Sequence, residues 1–299
     1  MAISVYSVTP SFAAEIGDLD LAQPLEAADL AAVKAAFATH AVLIFPDQQL
    51  TQEQHLGFAA LFGPLEVTIG VHRKDAPLRL RQEFADVSNL NHKDKLWGKD
   101  SRLRQFQLAN RLWHTDSSFK RLPALASLLY ARAIPPLGGH TEFADERAAY
   151  DALPETTKRR LEGLVAEHSI FNSRGRLGFT NFSDEEREAL PPVPQALVRV
   201  IPDSGRKSLY LASHAGRIFG MPDVEGRALI DDLIEHATQR QFVYTHRWRV
   251  NDLVMWDDRC TMHRGTRFDD LRFRRDVQRA TVSDVANTCE QEGIGIAAA

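Results

Sequence analysis

Cysteine is scarce: the chain has 299 residues and two cysteines, Cys260 and Cys289. Two thiols make no disulfide framework, so a reducing compartment is the default. No run approaches the ~20 apolar residues needed to cross a bilayer. The opening stretch, MAISVYSVTP, has no basic segment followed by an apolar one, so no export signal is read and a cytoplasmic location is expected. Internal repeats and low-complexity linkers are also missing, and residues 1–299 are read as one domain. A net charge of −4 and a pI near 6.3 argue against a binder of nucleic-acid backbones. What is present is an ordinary globular balance of 44% hydrophobic and 25% charged residues. A chain this long buries a large core without covalent staples.

Residues 30–40 carry apolar side chains spaced by three and four, which predicts a helix. AVLIFP (41–46) suits a buried strand closed by proline. Thr51 and Gln54 form a capping-box pattern before a second helix ending near Gly63. Residues 72–104 are charged and aperiodic, and the stretch 67–111 is read as a lid-like loop. WHTDSSF with its preceding leucine (112–119), 124–134 and 140–145 are β-prone. Helical spacing returns over 145–168 and again over 224–236. Asp203-Ser204-Gly205 marks a turn between strands at 197–202 and 207–213. Strands are expected at 242–248, within 252–263 and over 277–284, followed by a frayed tail at 287–299. The chain is therefore mainly β with helical decoration. A double-stranded β-helix, the jelly-roll of cupin-like proteins, belongs to that class.

His114 and Asp116 lie two apart. On a strand they share a face and reach one ion together. His263 closes an apolar strand pattern and is a candidate third ligand. Two histidines and a carboxylate leave positions open on an iron ion. Eleven histidines make a third partner easy to find, and a hydrogen-bonded His–Asp pair at a strand end explains the first two equally simply. Arg275 and Arg279, within RFRRDVQRAT, also share a strand face. Unpaired guanidiniums on a core strand are costly, so they suit anions or else a solvated edge strand with surface salt bridges. Thr141 opens a strand after Gly138-Gly139-His140. Lys93, Lys95 and Lys99 form a basic segment, and His214 follows KSLYLAS. Each of these has a plain structural reading. Cys260 is expected to be a small buried hydrophobe.

The order WHTDSSF, GGHTEFAD, MWDDRCTMHRG, RRDVQRATV is more specific than any of its parts. With LIFPDQQLTQEQ, FGPLE, SGRKSLYLASHA and EGRALIDDLIEHAT, it resembles the taurine dioxygenase family of 2-oxoglutarate-dependent oxygenases, and within it the branch acting on phenoxyacetates. The resemblance implies a double-stranded β-helix and Fe(II) held by His114, Asp116 and His263, with 2-oxoglutarate and O2 as co-substrates. It places the far carboxylate of 2-oxoglutarate on Arg275 with Thr141 assisting. It places the acidic group of the primary substrate, a small organic acid, on Arg279, with Lys95 and His214 helping. Two positions depart from the branch. Val71 stands where a basic residue is expected, with His72, Arg73 and Lys74 after it, and Ile201 stands where a histidine is expected. Both fall in the substrate pocket that the resemblance implies and bear on which acid is taken. The implied reaction hydroxylates the carbon beside an ether oxygen and releases a phenol and glyoxylate. Taurine, an alkyl sulfate or another organic acid is the alternative substrate. No membrane or nucleic-acid partner is expected, and a homodimer is.

Overall fold

A computed structural model describes residues 3–67 and 78–295. Its strands are β1 (Ser4–Ser7), β2 (Ala13–Gly17), β3 (Val42–Phe45), β4 (Phe84–Asp86), β5 (Ala124–Ala133), β6 (Thr141–Asp145) and β7 (Val165–His168). Then come β8 (Val193–Ala196), β9 (Val198–Val200), β10 (Lys207–Leu209), β11 (Ala215–Ile218), β12 (Val243–His246), β13 (Leu253–Asp257), β14 (Thr261–Gly265) and β15 (Asp276–Ser283). The main sheet runs β1-β2-β3-β13-β5-β15-β4, and a three-stranded sheet runs β12-β6-β14. All pairings are antiparallel except β2 with β3.

The alternation of the central strands decides where the core lies. Leu253 and Met255 of β13 pack with the helices Ala27–His40 and Gln52–Ala60 on the outer face of the main sheet. Val254 and Trp256 point the other way, to Phe143 of β6 and Tyr244 of β12. Phe143 and Trp256 lie 5.3 Å apart between ring centres. The two sheets thus share an inner hydrophobic layer, as a two-period pattern with both faces apolar requires. The outer face of the small sheet, Ala144 and Met262, is covered by the helices Glu146–Asp151 and Asp223–Ala237.

The capping box at Thr51 and Gln54 forms as read, each side chain accepting from the other's backbone N–H. Other expectations need correction. Residues 112–119 are no strand: His114 makes a single bridge to His263 and the chain then turns, with Ser117 at φ +52°. The helical pattern over 145–168 breaks into two short helices and ends in β7. β15 is no edge strand, since it lies between β5 and β4. From residue 78 the lid-like stretch is packed structure. It contributes β4 to the main sheet, buries Leu80, Leu90 and Trp97, and pairs Arg79 with Asp86 and Asp276. The tail is not frayed at its start, because Thr288 and Cys289 are fully buried in a short helix, Thr288–Gln291. No helix among the described residues is long and apolar enough to cross a membrane.

Candidate active site

Two backbone hydrogen bonds join distant segments at one point. His114 N–H donates to His263 O at 3.0 Å, and His263 N–H donates to His114 O at 2.8 Å. The bridge sets the two imidazoles side by side, with ring centres 4.2 Å apart. The turn after His114 brings in Asp116, whose carboxylate lies 3.9 Å from His114 Nε2 and 3.6 Å from His263 Nε2. One ligand atom from each of the three lies within 4.8 Å of the others.

The protonation states suit a metal. His114 Nδ1 is 2.8 Å from Leu112 O. A carbonyl only accepts, so Nδ1 carries the proton and Nε2 keeps its lone pair toward Asp116. Burial lowers the pKa of both imidazoles and favours their neutral, ligating form. Burial alone would raise Asp116, but the Arg279 guanidinium, helped by the Ser127 hydroxyl, outweighs it and holds the carboxyl at about 2. Asp116 is fixed from several sides. Ser127 Oγ donates to Oδ2 at 2.8 Å, and Arg279 Nη1 donates to Oδ1. Its own N–H donates to Asp258 Oδ1 at 3.1 Å, which also receives Trp256 Nε1 at 3.0 Å. Two neutral imidazoles and an ionised carboxylate on one side of an ion form the donor set of a non-haem iron centre, with positions left open for oxygen chemistry.

A cavity of about 950 Å³, counting its open mouth, begins at His114 and Asp116. Phe106, Phe119, Ile170 and Leu190 form its apolar wall, and His214, Arg174 and Arg279 its polar side. His214 lies 6.0 Å from His114 and 4.9 Å from Phe119 between ring centres. Burial, then the nearby Arg174 charge, keeps it neutral.

Arg275 lines an adjoining hollow with Asn89, Trp97, Gln107 and Thr266. It is buried, donates Nε to Gly139 O at 3.1 Å, and faces no carboxylate within ion-pair distance among the described residues. Burial lowers its pKa to about 10. Thr141 sits two residues beyond Gly139 and accepts a hydrogen bond from Trp248 Nε1 at 3.0 Å. Lys95 is not brought to the site. It is exposed on a turn and lines neither hollow. Ile201 is not in the pocket either, being buried in the layer between the sheets. Val71, His72, Arg73 and Lys74 lie outside the described residues.

Three residues escaped the sequence reading. Ser127 carried a usable signal, a hydroxyl within the apolar run of β5. Asp258 follows β13 in MWDDRCTMH, where a doubled acid among buried residues is unusual. Arg174 had none, standing in a stretch, SIFNSRGRLGF, without clear period.

The family model described as taurine catabolism dioxygenase TauD, TfdA family, matches residues 4–281. The chain belongs to this family of dioxygenases. It is 46% identical over 287 residues to a protein of Cupriavidus pinatubonensis named alpha-ketoglutarate-dependent 2,4-dichlorophenoxyacetate dioxygenase, covering 96% of this chain and 99% of that one. It is 37% identical to a Sphingobium herbicidovorans protein named (S)-phenoxypropionate/alpha-ketoglutarate-dioxygenase, covering 90% and 91%. Among solved structures, AAD-2 in complex with Mn(II) and N-oxalylglycine superposes with a TM-score of 0.88 at 48% identity, covering 96% of this chain and 99% of that one. The taurine dioxygenase family fold is thus the frame on which the triad sits.

Proposed function

We propose that this member of the family is an Fe(II)- and 2-oxoglutarate-dependent dioxygenase that cleaves aryloxyalkanoates of the 2,4-dichlorophenoxyacetate type. The observation that carries the reading is the cavity joined to the triad, which offers a phenylalanine-rich wall for an aryl ring and cations for an acid. The relatives named for phenoxy acids support it.

His114, Asp116 and His263 are the proposed iron ligands. An iron ion held there would supply the chemistry by which one atom of O2 goes to 2-oxoglutarate, giving succinate and CO2, and the other hydroxylates the carbon beside the ether oxygen. The resulting hemiacetal falls apart to a phenol and glyoxylate. The protein's own part is placement. Arg275, buried and without a counter-ion among the described residues, and Thr141 are assigned the far carboxylate of 2-oxoglutarate. Arg279 holds Asp116 and borders the substrate cavity, where with His214 it is assigned the acid group. The apolar wall keeps water from the reacting carbon.

The two facing sheets are read as a double-stranded β-helix, the whole chain as one domain, and the assembly as a homo-oligomer. Incubation with Fe(II), 2-oxoglutarate and paired aryloxyacetates, aryloxypropionates and sulfonates tests the activity. Phenol release matched by succinate is the expected result. Sulfite from taurine, or sulfate from an alkyl sulfate, without phenol release would replace the substrate assignment and keep the chemistry.

A further inference from the structure

Arg174 has no part in the roles assigned so far. It sits in the short helix Ile170–Gly175, is 6% exposed, and lines the cavity that opens at His114 and Asp116. Its Nη1 donates to Ser173 Oγ at 2.9 Å, while its buried Nε donates to nothing among the described residues. The guanidinium lies over the Phe106 ring, 4.4 Å from its centre.

The other cations lining this cavity each already face a carboxylate. Lys120 pairs with Glu66 at 2.6 Å, and Arg279 pairs with Asp116. Among the described cavity residues, Arg174 alone is a cation with no carboxylate at ion-pair distance. A desolvated guanidinium without a counter-ion is costly. Stacking on Phe106 recovers part of that cost, but it satisfies a face of the guanidinium and leaves the in-plane edge that carries Nε free. That edge matches a carboxylate bidentately. Its surroundings decide which carboxylate. Arg275, in the adjoining hollow, is the cation assigned to 2-oxoglutarate. Arg174 stands instead among Phe106, Ile170 and Phe119, beside the aryl wall, and its charge is felt at Asp116 and His214.

We propose that Arg174 is a second counter-ion for the carboxylate of the primary substrate, alongside Arg279, which also holds Asp116. The assignment rests on the aryloxyalkanoate reading. It makes Arg174 a specificity residue, selecting acids over neutral phenyl ethers of the same shape.

Binding of phenoxyacetate and of phenoxyacetamide is compared by titration calorimetry, without oxygen, on enzyme loaded with Fe(II) and 2-oxoglutarate. Wild type, Arg174→Gln and Arg174→Lys are the proteins. Wild type is expected to prefer the acid. Arg174→Gln is expected to weaken acid binding roughly ten- to hundredfold, with the amide and 2-oxoglutarate changed less than about threefold. Arg174→Lys should keep a preference for the acid at intermediate affinity. Equal loss for acid and amide would reveal a packing role only and overturn the proposal, as would unchanged acid binding. Should neither variant fold, phenylglyoxal labelling of the wild type with peptide mapping decides. Phenoxyacetate must shield Arg174 and phenol must not; equal shielding overturns the proposal. If wild type cleaves phenoxyacetate and Arg174→Gln still binds the acid normally, the Arg174 assignment alone fails. If wild type neither binds nor cleaves aryloxyacetates, the substrate reading fails with it.

Discussion

His114 and His263 exchange both of their backbone hydrogen bonds, so two proposed iron ligands far apart in the chain are placed by main chain and not by side-chain packing. Replacing either imidazole therefore removes a donor without dismantling the bridge that positions the other. His114→Ala and His263→Ala are each expected to keep the wild-type far-ultraviolet circular dichroism spectrum and to bind Fe(II) more than about a hundredfold more weakly. Ser127→Ala, which removes a support of the Asp116 carboxylate, should cost roughly ten- to a hundredfold. Metal analysis after anaerobic dialysis reads all three. One tightly held iron per chain in either histidine variant would rule out the triad.

Arg279 lies in β15 and Arg275 just before it, across a shift of register at Asp276, and the two line different hollows. Arg275→Ala should raise the 2-oxoglutarate KM by more than about tenfold and move the aryloxyacetate KM far less. Arg279→Ala should do the reverse, and should also weaken iron because Asp116 loses a partner. Steady-state titration of each co-substrate at saturation of the other separates them. Equal changes in both constants would contradict the division of labour.

Much of this was legible in residue order. The grouping of His114, Asp116 and His263 and the capped helix at Thr51 both follow from local pattern or motif. What escaped was set by long-range packing. His114-Thr115-Asp116 reads as a strand because its side chains are β-prone, yet Asp116 reaches its place through a turn at Ser117. Ile201 and Lys95 were expected in the pocket, but no local signal distinguishes a pocket wall from the layer between sheets or from an exposed turn. Arg174 was invisible for the converse reason. A lone arginine among aromatics looks like surface until the fold closes Phe106 over it.

His55 and His168 are fully buried away from the triad, and burial lowers each to about 3 from an ordinary 6.5. Both are neutral in the folded chain. Below 6.5 the unfolded chain takes up protons that the folded chain refuses, so stability is full above 6.5 and falls as pH drops toward 3. Each histidine contributes a slope of about 1.4 kcal/mol per pH unit across that window. Urea unfolding between pH 7 and pH 4 should show this decline. His168→Leu, which removes a side chain with no hydrogen-bond partner among the described residues, should reduce the slope by about one proton. An unchanged slope would show that His168 titrates alike in both states.

The C-terminal segment tests the correction to the expected frayed tail. Thr288 Oγ1 donates to Gln195 Oε1 at 2.6 Å and accepts from Ala196 N–H at 2.7 Å. Asn287 Nδ2 donates to Arg121 O and Pro194 O, each at 3.0 Å. Cys289 is buried against Val165 and Ala196. Gln291 Oε1 receives the fully buried Arg199, which also pairs with Asp284. Ending the chain after residue 286 removes Asn287, Thr288, Cys289 and Gln291 at once and leaves Gln195 and Arg199 short of hydrogen bonds inside the protein. Each such loss costs about 1–3 kcal/mol, so the truncation should lower unfolding free energy by more than about 3 kcal/mol. Ending it after residue 295 leaves every one of these contacts in place and should change stability by less than about 0.5 kcal/mol. Urea midpoints of the two truncations, compared with the full chain at pH 7, measure the difference. Equal midpoints for all three would show that the helix Thr288–Gln291 adds nothing to the folded state.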